Sequence, residues 1–216
     1  MQKITGHKKG YTTAGVISFY ALFMIEKIRQ KEKKMKQNRK SSVKKMVMAA
    51  MLACLSYVCS TFVFFPRMAP FQHMFNVLGA VFVGPWWGLA CAAVTGLMRM
   101  ALNGRTIQAL IGAIVGAFLA GIFYEKTGKI WAAVVGEVVG TGIFGALLVY
   151  PFMVQFYGLP ARTPFWTFIP SYVPSSLMGA MIAWILLKTF DRTGLLRQIR
   201  EAVGDERAKI RKERDQ

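Results

Sequence analysis

Between Met46 and Phe190 the chain runs in long apolar stretches cut by glycine and proline, and the 142 residues of 46–187 hold only six basic and two acidic side chains, the latter Glu125 and Glu137. Such a stretch has few folds open to it. Away from water each peptide group must be satisfied within its own segment, which selects helices, and about 20 apolar residues cross the roughly 30 Å of a bilayer core. The sequence therefore predicts an all-α membrane protein.

Charge gathers at the two ends. Of 28 Lys and Arg residues, 13 lie in residues 1–45 and nine in 188–216, and the formal net charge is +18. These cations flank apolar spans instead of interleaving with aromatic side chains, which argues against a nucleic-acid partner. The positive-inside rule accounts for them: both basic ends are expected on the cytoplasmic side of a cell membrane, in contact with anionic lipid heads. Three regions follow: a basic extension (1–45), a membrane domain (46–190) and a basic C-terminal tail (191–216).

Within the extension, Gly15–Ile25 is apolar but only eleven residues long, too short to span at 1.5 Å per residue. An interfacial anchor, a targeting segment and a start placed too early remain open for it. No small-residue cleavage pattern follows, so a signal peptide is not expected. Lys27–Lys45 reads as a solvated run, disordered or loosely helical at the membrane surface.

Six spans are predicted: Met46–Phe65 (ended by Pro66), Gln72–Val83, Trp86–Leu102, Thr106–Tyr124, Ile130–Met153 and Ser171–Phe190. The second is short, about 18 Å, and joining it to the third as one helix broken at Gly84-Pro85 would leave five. Parity favours six, because two cytoplasmic ends need an even number of crossings. Arg67, Arg105 and Arg162 then fall in outer loops, and Lys126 and Lys129 inside. Small residues recur every four positions in Ala49/Ala53, Gly112/Gly116/Ala120 and Gly136/Gly140. This spacing lets helices approach closely, within the chain or, for Ala49/Ala53, against another membrane protein.

Ionisable groups in hydrocarbon need a partner or a task. Glu137, the only carboxylate inside a span, lies about 10 Å from the cytoplasmic end of the fifth. Gln72, His73 and Asn76 share one face at the outer end of the second span, and Arg99 and Asn103 pair at the outer end of the third. Tyr150, Ser175 and Ser176 fall in the same outer half, with Trp166 and Tyr172 in or beside the last outer loop. An aromatic cavity with a few converging polar groups suits a small ligand. Interhelical hydrogen bonds are the plainer explanation of the same residues. On this reading His73 and Glu137 sit at opposite depths and make poor acid–base partners.

No GxxxxGK[ST], HExxH or GxSxG motif occurs, so neither self-driven ATP hydrolysis nor an enzyme is expected. Cys54, Cys59 and Cys91 lie in apolar runs without CxxC spacing, and no metal site or cofactor is called for.

The runs FQHMFNVLGAVFVGPWWGLACAAVTGLMRMAL (71–102), GEVVGTGIFGALLVYP (136–151) and FIPSYVPSSLMGA (168–180) resemble the ThiW-type substrate-binding S components of energy-coupling factor (ECF) transporters. The resemblance covers about residues 45–190. It implies a six-helix S-component bundle in a prokaryotic plasma membrane that captures hydroxyethylthiazole, a neutral heteroaromatic precursor of thiamine, from outside. It implies a transmembrane coupling protein and two cytoplasmic ATPases as partners, with Ala49 and Ala53 at the coupling-protein contact. Gln72, His73, Asn76, Arg99, Asn103, Glu137, Tyr150, Trp166, Tyr172, Ser175 and Ser176 are the ligand-binding candidates, with Trp166 or Tyr172 stacking on the ring. The chain departs from the family after the third span. Where the family tends toward RN-x-x-GTGT-x-x-AFPGS, it has RMALNGRTIQALIGA (99–113), which leaves another vitamin or precursor open as ligand. A solitary proton-coupled transporter using Glu137 is the competing function, and a ligand-free scaffold a third.

Overall fold

A computed structural model describes residues 13–63 and 68–204, with side chains from residue 23. Pro66, Arg67 and residues 205–216 of the tail lie outside them. The chain divides into two compact units, Met1–Ser42 and Val43–Gln216.

A single helix, α1, runs Thr13–Phe62, so Gly15–Ile25 is part of a longer helix. From Phe23 to Lys40 every side chain is exposed. Of the two forms expected for this solvated run, disordered or loosely helical, it takes the helical one, since Lys, Arg, Gln and Met are all good helix formers.

In the second unit, residues from Val43 onward in α1 continue into α2 (Pro70–Phe82), α3 (Pro85–Asn103), α4 (Gln108–Thr127), α5 (Ile130–Val139), a π-helical segment (Gly140–Gly145), α6 (Ala146–Tyr157), α7 (Ile169–Arg192) and α8 (Leu195–Val203). All elements among the described residues are helices. Phe23–Phe62, Gln108–Thr127, Ile130–Tyr157 and Ile169–Arg192 are long and apolar enough to cross a membrane. The six expected spans are thus four by length and hydropathy, with α2 and α3 outside that set. At 13 residues α2 is short, and α3 loses mean hydropathy to its tryptophans and Arg99.

Burial explains why α2 tolerates being short. Every residue of it but Phe71 is buried, and it packs against α3, α4, α5 and α7. A helix wrapped by others, with its polar face of Gln72, His73 and Asn76 hydrogen-bonded to them, belongs in a core, and its length is not set by the bilayer alone. Gly84, at φ +87°, turns the chain between α2 and α3. Gly79 and Gly88 then meet, a Cβ on Gly79 lying 3.5 Å from the Gly88 Cα, so α2 and α3 form a hairpin and not one broken helix.

Glycines also bring α4 onto α5. A Cβ on Gly136 would lie 2.8 Å from the Ala120 Cα, and one on Gly140 2.8 Å from the Gly116 Cα. The four-residue spacing in these helices is therefore an internal seam. The Ala49/Ala53 pair belongs inside too: both side chains are buried, and the Ala53 carbonyl accepts from Thr95 Oγ1 at 3.4 Å. This part of α1 is turned toward α3. The outward residues are Met51, Leu55, Val58 and, elsewhere, Trp86, Leu97, Trp131, Phe144 and Ile185, all exposed. With its polar groups inside and its apolar groups outside, this is the surface of a membrane protein.

The C-terminal region is not wholly tail. In α8, Leu196, Ile199 and Val203 recur at helical spacing, and Leu196 and Val203 are buried in the core. Arg200 donates to the Tyr124 hydroxyl at 3.0 Å.

Candidate ligand-binding site

A cavity of about 860 Å³ lies among the first turns of α2, α4 and α7 and the last turn of α3, within the size range of small-molecule sites. The residues that end and begin helices supply its polar lining. From α2 come Gln72 and His73, from α3 Arg99, from the following loop Arg105 and Thr106, and from α7 Phe168, Ser171, Tyr172 and Ser175. Of the eleven candidates, Gln72, His73, Arg99, Tyr172 and Ser175 line it.

Each of these is held by its neighbours. Gln72 Nε2 donates to the Ala109 carbonyl at 2.9 Å, while its Oε1 accepts from the Arg99 guanidinium. Tyr172 donates its hydroxyl to the Gln108 carbonyl at 3.2 Å. That ring stands against Gly112, where a Cβ would come within 2.8 Å of it. Ser175 Oγ accepts from the Ala69 N–H at 2.9 Å, tying α7 to the entrance of α2.

One layer behind the wall sits a cluster around Glu137, which is fully buried. His73 Nδ1 donates to Glu137 Oε1 at 2.9 Å. Asn76 Nδ2 donates to the same oxygen at 3.1 Å and to the Ala113 carbonyl at 3.2 Å. Thr141 Oγ1 lies 2.9 Å from that oxygen and 3.0 Å from the Gly112 carbonyl, so its one proton serves either acceptor. The second carboxyl oxygen, Oε2, has no partner among the described residues. Gly116 makes the space, because a Cβ there would fall 2.6 Å from Oε2. The expectation that His73 and Glu137 lie at opposite depths is thereby overturned. A carboxyl holding Nδ1 fixes the imidazole's orientation and leaves Nε2 for the cavity.

Thr141 was not among the candidates. Its signal was available in the Glu-x-x-x-Thr spacing, which puts it one turn beyond Glu137. The π-helical turn that holds it follows from the Gly-Thr-Gly-Ile-Phe-Gly sequence, and such bulges cluster at functional sites. Thr106, Gln108, Ala109 and Gly112 also line the cavity, so the 99–113 segment, where the chain departs from the resemblance, is part of the wall.

The remaining candidates lie elsewhere. Asn103 accepts from Tyr57 and donates to Thr61, both at 2.9 Å, and so ties α3 to α1. Tyr150 donates toward the carbonyls of Ala161 and Thr163, bracing the loop after α6. Ser176 bonds its own helix at Val173. Trp166 is exposed and packs edge-on against Phe165 at 4.9 Å. Asn103→Leu should lower stability by about 1 kcal/mol, the worth of its hydrogen bonds, with ligand affinity unchanged. A thermal melt in detergent beside a binding titration checks both.

No curated protein and no solved structure matches the chain. Residues 46–193 match the family model described as thiamine-precursor transporter protein (ThiW), a stretch that contains every residue of the cavity and of the Glu137 cluster. A pocket with polar side chains in its wall, set in an apolar helical shell within a chain matched over that whole region, places this protein in the ThiW family of thiamine-precursor transporters.

Proposed function

We propose that the chain is the substrate-capture S component of an ECF-type importer, binding hydroxyethylthiazole from the outer side of a prokaryotic plasma membrane. The observation that carries the reading is the position of the cavity. It lies at the start of α4, while Lys126 and Lys129 lie at and beyond its far end. The positive-inside rule puts those lysines in the cytoplasm, and the cavity then faces out. The same orientation gives six crossings, α2 and α3 contributing a hairpin, with both termini cytoplasmic.

The ring of the ligand stacks on Tyr172 and Phe168, His73 Nε2 accepts or donates at its heteroatom, and Gln72 and Arg99 hold the oxygen of its side arm. A coupling protein and two cytoplasmic ATPases then turn the loaded subunit to release ligand inward, and no bond in the ligand is made or broken. Tyr172→Ala should weaken binding about three- to tenfold, the scale of one aromatic contact, whereas Trp166→Ala should leave it unchanged. Equal losses in the two would move the stacking site out of the cavity.

Calorimetric titration of the purified protein with hydroxyethylthiazole, thiamine and the aminopyrimidine precursor tests the reading. Submicromolar binding of the thiazole alone is expected, and silence from all three in a folded sample would sink it. The contact between Glu137 and His73 favours one rival, proton-coupled uptake by this chain alone. Proteoliposomes containing only this protein decide between them: accumulation driven by a pH gradient without ATP establishes the rival.

A further inference from the structure

Arg99 is 5% exposed, lines the cavity, and has its Nε without a hydrogen-bond partner. Its one bonded neighbour is the neutral carbonyl oxygen of Gln72. A guanidinium removed from water to this degree is costly unless an opposite charge faces it, and among the described residues none does. Among the described residues the ion pairs are His73–Glu137 and Arg197–Glu201. Within Val43–Val203 the other acidic residues are Glu125 and Asp191. Glu125 lies 17 residues along α4 from Gln108, about 25 Å away at 1.5 Å per residue, and Asp191 ends α7, whose first turns line the cavity. Glu137 accepts from His73 and Asn76 through Oε1 and forms no ion pair with Arg99. A second guanidinium, Arg105, lines the same cavity, and no lining residue is acidic.

We infer that the ligand of this cavity carries an oxyanion, a phosphate or a carboxylate, on a short arm of its heteroaromatic ring, and that Arg99 is the residue that selects it. The arm reaches the Arg99 wall while the ring rests on Tyr172. Arginine suits the role, because its planar fork donates two parallel hydrogen bonds to an oxyanion. Gln72 holds the fork in place through Oε1 and is itself pinned to the Ala109 carbonyl. The site thus prefers the phosphorylated or carboxylated form of the arm over the neutral hydroxyethyl form. This rests on the S-component reading of the cavity and replaces the neutral hydroxyethyl arm of its ligand with an anionic one.

Four thiazoles differing only in that arm test it, namely the ethyl, hydroxyethyl, carboxymethyl and phosphoryloxyethyl compounds, each titrated into the full-length wild-type protein, Arg99→Gln and Arg99→Lys in detergent. In the wild type at least one oxyanion form should bind about tenfold or more tighter than the ethyl form, the scale of a charge-assisted pair. Whichever oxyanion gains more tells phosphate from carboxylate. In Arg99→Gln that advantage should vanish while affinity for the ethyl form stays within about threefold. Should Arg99→Gln fail to fold, Arg99→Lys carries the test: the charge remains and the preference persists, weakened. Equal affinity for ethyl and oxyanion arms in the wild type overturns the inference, as does an oxyanion preference that survives in Arg99→Gln. Binding of the hydroxyethyl compound with rejection of both oxyanions overturns it too, yet leaves the S-component reading standing. No binding of any thiazole to folded protein takes both down.

Discussion

Gly179→Ala should strip the domain of its fold or lower its melting temperature more than any other single-methyl change in the core. A Cβ at this position would run into the Pro70 carbonyl and come within 2.7 Å of the His73 Cβ and 3.0 Å of the Met74 nitrogen. Two of those atoms are backbone, so no rotamer relieves the clash and α7 has to withdraw from α2. Overpacking of this kind costs about 1–3 kcal/mol or more. It falls on the helix that carries Gln72, His73 and Asn76, so ligand binding should go with stability. Gly128→Ala is the control. Gly128 caps α4 at φ +68° with nothing within 4 Å of a Cβ, and its cost is the left-handed conformation, about 1–2 kcal/mol, with binding retained. Thermal unfolding of both variants in detergent measures the contrast. Equal shifts would mean that α2 and α7 do not meet as closely as the structure shows.

The second large effect is at Glu137, and it separates structure from binding. Glu137→Ala removes the shared acceptor of His73 and Asn76 from a site with no exposure. His73 Nδ1 loses its partner, at about 1–3 kcal/mol for a buried polar group left unpaired, and the deleted side chain leaves a cavity as well. Glu137→Gln keeps the shape and an oxygen for His73, so the fold should hold. Affinity should still fall about tenfold, because the weaker acceptor no longer holds His73 as firmly toward the ligand. Glu137 itself does not line the cavity whereas His73 does, so Glu137 acts as a positioning group through His73. A purely structural Glu137 would show the reverse pattern, with Glu137→Gln binding ligand as tightly as the wild type. Asn76→Ala should fall between, since Thr141 and His73 still hold the carboxyl.

The polar inventory was legible in the sequence, but its depths were not, and His73 shows why. Counting inward from an assumed outer surface put it far from Glu137. Yet α2 has only 13 residues, so its first turn lies about 20 Å from its last, well short of a full bilayer crossing. Counted from the other end, His73 is nine residues from Phe82 and Glu137 seven from Ile130, about 14 and 10 Å. The two levels nearly coincide. A short helix is visible in sequence, but where it floats in the bundle depends on the helices that wrap it.

The same division runs through the other residues. Asn103, Tyr150 and Ser176 were polar and outward by count, yet Asn103 bonds a neighbouring helix, Tyr150 a loop and Ser176 its own helix. Trp166 and Tyr172 looked interchangeable six residues apart, and only the packing of α7 against Gly112 sets Tyr172 in the wall. Ala49/Ala53 carried a spacing that serves any close helix contact, whichever molecule supplies the second helix.

By itself the sequence determined that this is a helical membrane protein, because apolar runs with so few charges leave the backbone no other way to satisfy itself. It also determined where those helices break, at glycine and proline, and which scarce polar side chains had to find partners. Tertiary structure decided the pairs. Glu137 meets His73 because α2 is short and enclosed and because Gly116 leaves room for a carboxyl, and Arg99 faces the cavity because the α2–α3 hairpin brings it to Gln72. Those outcomes depend on distances between helices, and helix spacing is set by side chains far apart in the chain.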